Sequence, residues 1–320
     1  MNVFFADDGR LKSGWRFALA VIVVVAANFI AGFVAVGIAG RHGKLLDVVY
    51  RPLLVLLQLV GFFLLTQLLD RPAESIWQYN GLQRRHWLRD TIAGALLGFV
   101  LIGIAVVTIA TFFHLSIVSL RFNPRTFTIG IVVFGVILAA AMAEELAFRG
   151  YPFQRLVEGT GPVGAIIILS AMFGGIHMAN PHVSDSVLVR IAAFSNTLLI
   201  GIVLCLGYLR TRALWFPFGL HFAWNAALGL FFGLPVSGTT DFSVIVRSKA
   251  YGPEWFLGGG YGIEAGFLGT IVIVIGLFYV LFFVKPVVLT PAPAPVPAAA
   301  PIAEFPPEGI QTSSESSAEL

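Results

Sequence analysis

The 320-residue sequence is short of charge and of cysteine. Asp, Glu, Lys and Arg make up 12% of it against 58% hydrophobic residues, and the mean hydropathy is +0.88. So little polar surface cannot cover a water-soluble core, which excludes a soluble domain and predicts a polytopic membrane protein. The single Cys205 lies in an apolar run, where it can form neither an intramolecular disulfide nor a cysteine-based metal site, and it reads as a small buried hydrophobe. The formal net charge is only +3 and the basic residues are dispersed between apolar segments, so nothing marks a nucleic-acid partner. No His-Glu-x-x-His helix occurs.

What is present is a series of apolar runs. The first, Phe17 to Gly40, follows Arg10, Lys12 and Arg16, exceeds a signal-peptide core and has no clear cleavage site, so it is expected to be a retained helix. Further runs lie at about Pro52–Leu69, Thr91–Phe113, Thr128–Phe148, Pro162–Ala179, Val187–Leu209, Ala213–Phe232 and Gly266–Val284. An all-α membrane domain over residues 1–284 with about eight transmembrane helices is the expectation. After Lys285 the Pro/Ala-rich run from Pro291 to Pro297 and a Ser- and Glu-rich end predict a disordered cytoplasmic tail over 285–320. Of the 20 Lys and Arg, twelve fall on one side of the eight spans and eight on the other. Setting Arg149 aside leaves eleven against eight, which predicts a plasma-membrane protein with both termini in the cytoplasm.

One motif breaks the apolar pattern. Glu144 and Glu145 directly follow the run Ile131–Ala143, where ionisable residues are costly enough to read as functional. Glu145 and Arg149 stand at i and i+4 and can pair, whereas Glu144 points about 100° away and has no local partner. His177 ends the fifth run, and His221 and Asn225 stand at i and i+4 in the seventh. Glu144 and His177 are equidistant from the turn-like Gly159-Thr160-Gly161-Pro162, so an antiparallel hairpin folded there brings them level, provided the chain continues helically past Pro152. A lone histidine or asparagine in a membrane helix is commonly interhelical glue, the reading adopted for Asn196; His114 reads as interfacial, and Asn180 and His182 as loop residues. The 233–262 link is expected to cap the bundle.

In this order, Glu144-Glu145-x-x-x-Arg149, Phe173-x-x-x-His177 and His221-x-x-x-Asn225, each in its own apolar helix, resemble the CPBP family, which includes the CAAX prenyl proteases, bacteriocin-processing enzymes and abortive-infection proteins. The resemblance covers about 128–232, helices 4 to 7, and no motif position departs from it. It implies an intramembrane endopeptidase acting on a membrane-associated peptide or protein substrate, prenylated in the CAAX branch. The residues support that chemistry: amide hydrolysis needs a base for water, donors for the oxyanion and exclusion of bulk water, and Glu144, His177, His221 and Asn225 can supply these, with Glu145 and Arg149 as a supporting ion pair. A proton-coupled transporter using Glu144 and His177 as a relay is the alternative, against which stands the lack of a second copy of the motif. A non-catalytic immunity-type protein would be expected to have lost one of Glu144, His177 or His221. The family has been described both as metallo- and as glutamic proteases. The metal-free arrangement uses all four groups and is favoured, with a divalent zinc held by Glu144, His177 and His221 as the other mechanism. The orientation further predicts access to the site from the cytoplasmic, Thr160 side.

Overall fold

The computed structural model describes residues 3–6, 9–40, 43–72 and 75–286. Its helices are α1 (Ser13–Ala39), α2 (Gly43–Leu65), the single turn α3 (Ile76–Tyr79), α4 (Trp87–Phe112), α5 (Pro124–Arg149), α6 (Tyr151–Ile176), α7 (Val187–Thr211), α8 (Trp215–Asn225), the short α9 (Glu254–Leu257) and α10 (Phe267–Phe282). Each of the eight apolar runs thus contains a helix. Five stretches are long and apolar enough to cross a membrane, one of them the 56-residue Pro124–Ala179, which holds both α5 and α6. The chain is a multi-pass, mostly helical membrane protein. The tail expected at 285–320 lies, beyond Pro286, outside the described residues.

Several boundaries differ from expectation, each for a local reason. Pro52 lies inside α2 rather than at its start. Pro217 falls in the first turn of α8, where the missing N–H has no intrahelical acceptor to lose. Pro181 follows α6 and the 3-10 turn His177–Ala179 instead of interrupting them. The start of α5 is set by Asn123, whose side chain accepts from Thr126 N at 3.0 Å while Thr126 Oγ1 accepts from Asn123 N at 3.1 Å, with Pro124 at the first helical position.

The hairpin between α5 and α6 turns twice. The helix breaks at Gly150, restarts with Pro152 in its first turn, and breaks again at Gly161, whose φ of +74° falls in the left-handed region that favours glycine. The segment Tyr151–Thr160 therefore extends the first arm before the chain returns through Pro162 to His177.

The surface is turned inside out relative to a soluble bundle. Phe29 and Phe33 of α1 are 75% and 84% exposed, whereas Ala20, Ala27, Ala31 and Ala35 on its other face are buried. Small residues face neighbouring helices and large apolar ones face lipid, because hydrocarbon rewards close packing rather than burial. The closest seam joins α4 to α8. A Cβ on Gly94 would collide with Phe216 O, one on Gly98 with Leu220 O, and one on Gly219 with Thr91 O, so these two helices meet backbone to backbone.

One element is not announced by the sequence. His114–Leu120 (β1) pairs antiparallel with Val246–Tyr251 (β2), His114 opposite Tyr251 and Leu120 opposite Val246, with an irregularity between Ile117 and Ser119. This ribbon sits on the 233–262 link.

The polar interior has two centres. One, at the ends of α1, α2 and α6, is built on Asp70, whose carboxylate accepts from Arg16, from Arg155 Nη1 at 2.6 Å and from Tyr151 OH at 2.7 Å. Glu158 closes it, at 2.8 Å from both Arg16 Nη2 and Arg155 Nη2. The other surrounds Glu145.

Candidate active site

Consecutive positions on α5 send Glu144 and Glu145 in different directions. Glu145 is fully buried and meets Arg149, one turn on and also fully buried, at 3.2 Å through Nη1. Arg149 is held in turn by Gly201 O, 3.2 Å from Nη2, and by the Phe173 ring, 4.6 Å from its Cζ. The same Glu145 Oε1 lies 2.8 Å from Nδ1 of His221 on α8. A carboxylate salt-bridged to arginine accepts only, so Nδ1 donates and Nε2 is left for other work. That nitrogen stands 3.6 Å from Glu144 Oε2. Glu145 is therefore more than one half of an ion pair: it orients an imidazole that the sequence offered no means of linking to it.

His177 is fixed by similar logic. Its Nδ1 is 2.8 Å from Phe173 O, one turn earlier, and a carbonyl can only accept, so Nδ1 carries the proton. Glu144, His177, His221 and Asn225 all line one cavity of about 300 Å³. The cavity lies where two apolar clusters meet, with Phe173 from the α5–α6 side and Leu204, Leu220 and Trp224 from the α4–α7–α8 side. The hairpin thus brings Glu144 and His177 to a common layer despite the break at Gly150.

Its wall also holds Arg51, Ser237 and Glu264, which were not singled out from the sequence. Asn180, a loop residue as expected, lines the cavity as well, while His182 nearby is exposed and pairs with Asp185 at 2.9 Å. Glu264 accepts from Trp224 Nε1 at 2.9 Å and from the amide of Ser237, tying the 233–262 link to the residue before Asn225. Burial pushes its carboxyl above the usual range, opposed by the Ser237 amide and the Trp224 indole. Asn196, inside α7, donates to Glu264 O and Gly266 O at 2.9 and 3.0 Å and so ties that helix to the turn before α10.

Asn180, Pro181, Ser237 and Thr239 on the cavity wall belong to the links after α6 and after α8. Glu144 is near the end of α5, and the extension Tyr151–Thr160 carries the chain onward before it turns at Gly161.

A zinc ion would need Glu144, His177 and His221 gathered around one point. Among the described residues no group of three or more His, Cys, Asp or Glu is placed to hold a metal ion.

No curated protein matches the chain. A family model does match, over residues 126–227, and is described as type II CAAX prenyl endopeptidase Rce1-like. That segment runs from the first turn of α5 just past Asn225, and so takes in Glu144, Glu145, Arg149, His177, His221 and Asn225. Over residues 126–227, less than half of the chain, the sequence is similar to that Rce1-like family, which is consistent with the resemblance to the CPBP intramembrane proteases.

Proposed function

We propose that the protein is an intramembrane endopeptidase that hydrolyses a peptide bond of a membrane-associated, CAAX-type substrate, with Glu144 activating the water. The observation that carries this reading is the placement of His221, with Nδ1 on Glu145 at 2.8 Å and Nε2 at 3.6 Å from Glu144, in the cavity that His177 and Asn225 also line. In the proposed reaction a water sits between Glu144 and Nε2 of His177. Glu144 takes its proton as the oxygen attacks the scissile carbonyl. The oxyanion receives hydrogen bonds from the Asn225 amide and from His221 when its Nε2 is also protonated, the positive charge on that imidazole being balanced by the oxyanion itself. The proton held by Glu144 then passes to the departing amine. Substrate enters from the end of the bundle that carries Asn180 and Ser237.

The test uses purified protein in liposomes, a lipid-anchored peptide ending in a CAAX box, and its counterpart without the lipid. Glu144→Gln keeps the shape but cannot take a proton, so cleavage should fall by about 10²–10⁴-fold while the variant still inserts and elutes as wild type. Wild-type enzyme treated with a strong chelator and shown by elemental analysis to lack zinc should keep its activity. Chelator inhibition reversed by added zinc would overturn the metal-free step, and undiminished cleavage by Glu144→Gln would overturn the assignment of the base.

A further inference from the structure

The ribbon of β1 and β2 carries charge on one face and apolar side chains on the other. Ser119 pairs with Arg247, and Arg121, whose N–H donates to Ile245 O at 2.9 Å, stands two residues beyond Ser119. Ser119, Arg121 and Arg247 therefore point to the same side, while Leu120 and Phe122, on the other side, are exposed. The polar side walls a cavity of about 260 Å³ between the ribbon, the first turn of α5 and the 240–243 turn. Its two guanidiniums have donors to spare: Arg247 Nη2 donates to Thr240 Oγ1 at 2.6 Å, and among the described residues neither arginine is in a salt bridge. Ser243 Oγ, on the same wall, is buried and without a partner. The wall's one carboxylate, Asp241, is exposed and accepts from Thr239 Oγ1 at 2.8 Å, so two cations stand against one anion.

We propose that this cavity binds the phosphate of a membrane phospholipid headgroup, clamped by Arg121 and Arg247 with the Ser119 and Ser243 hydroxyls donating to it. Donors converging from a strand pair and from a turn suit an oxyanion with several oxygens, and guanidiniums bind phosphate through paired N–H bonds. The surroundings favour a lipid over a free anion. The membrane-crossing stretch Pro124–Ala179 begins at this wall, and Leu120, Phe122 and Phe127 are exposed around it. Basic groups beside exposed apolar ones at the end of a span match the depth of the headgroups, and a free phosphate would gain nothing from the apolar side chains. The site stands independently of the peptidase reading, yet it adjoins the cavity of Glu144. Thr239 and Phe242, interleaved with Thr240, Asp241 and Ser243, line that cavity, so a bound headgroup steadies the turn that separates the two.

The test titrates delipidated full-length protein in neutral detergent with a phosphatidylglycerol and with a diacylglycerol of the same chains, which lacks the phosphate. Native mass spectrometry counts the lipid retained per chain. Wild type should hold one phosphatidylglycerol about 10–100-fold more tightly than the diacylglycerol, the scale of hydrogen bonds to a charged group, and raised salt should shrink that advantage. Arg121→Gln and Arg247→Gln should each lower the ratio, and together bring it to within about threefold. Arg125→Gln, exposed nearby but not on the wall, should leave it unchanged, which separates a built site from general attraction to a basic surface. Arg121 and Arg247 are both exposed, so neither substitution is expected to disturb insertion, and if the double variant fails to insert, the single variants decide. Equal retention of the two lipids by wild type, an unchanged ratio in the arginine variants, or an equal loss in Arg125→Gln overturns the proposal. Inorganic phosphate that displaces the lipid at equal concentration marks a site for a free anion, and overturns it too.

Discussion

Two clusters of buried charge sit in this bundle, and they are wired differently. Around Asp70 the carboxylate takes Arg16, Arg155 and Tyr151, and Glu158 neutralises the second arginine, so each charge is spent on a neighbour and the cluster joins α1, α2 and α6. Around Glu145 the same chemistry is used asymmetrically. Arg149 and the carboxylate hold each other within one helix, but the carboxylate also grips His221, and the free edge of that imidazole looks at Glu144 across 3.6 Å in an open cavity. Buried charge is tolerated in the first cluster because it is cancelled. In the second it is tolerated because a cancelled pair supports a neighbour that is not.

Mutation should separate the two. Asp70→Ala leaves Arg16 and Arg155 sharing only the partly exposed Glu158, and breaking a buried pair costs about 3–5 kcal/mol, so yield and thermal stability in detergent should drop while turnover per folded molecule stays within about twofold. Normal accumulation of Asp70→Ala with impaired turnover would make the Asp70 cluster part of the chemistry and erase the contrast. A smaller effect is expected of Glu145→Gln, which keeps an acceptor for His221 but removes the charge facing Arg149. It should lose about 1.5–3 kcal/mol, divided between stability and kcat, and an effect on stability alone would reduce Glu145 to a structural residue.

The smallest effect concerns Glu264, which lies outside the apolar spans. Its raised pKa means the folded protein holds that proton more tightly than the unfolded chain does. The associated stability is complete below the ordinary Glu value of about 4.3 and is lost as pH climbs through the folded value. Glu264→Gln, which does not titrate, should therefore flatten the stability–pH curve on the mildly acidic side, by about 1.4 kcal/mol for every tenfold gain in proton affinity on folding. Parallel wild-type and variant unfolding curves from pH 4 to 7 would rule the effect out.

Much of this was legible in the sequence because apolar runs and broken runs are local signals. The helices follow from uninterrupted Leu, Ile, Val, Phe and Ala, and Glu144, His177 and His221 stand out as polar residues inside such runs. What escaped depends on contacts distant along the chain. The Glu145–His221 bond joins residues 76 apart, and no helical spacing announces it. Glu264 carries the same signal as Glu144, a carboxylate in an apolar neighbourhood, but the glycines around it make the segment read as a link. Arg51, beside Pro52, reads as the edge of a span because the proline suggests a boundary that α2 ignores. The ribbon is hidden because His114–Leu120 directly follows an apolar helix and its partner lies more than a hundred residues later.

The seam between α4 and α8 has a consequence for what counts as a unit. The 126–227 segment holds all the motif residues, yet the helix bearing His221 rests on Gly94 and Gly98, from a part of the chain that segment leaves out. Two backbones in direct contact have no compressible layer of side chains between them, so a methyl group added at Gly94 cannot be absorbed by a rotamer. It must be passed on as a movement of α8, and so of the imidazole itself. A transplanted 126–227 fragment would keep its chemical groups and lose the ruler that spaces them.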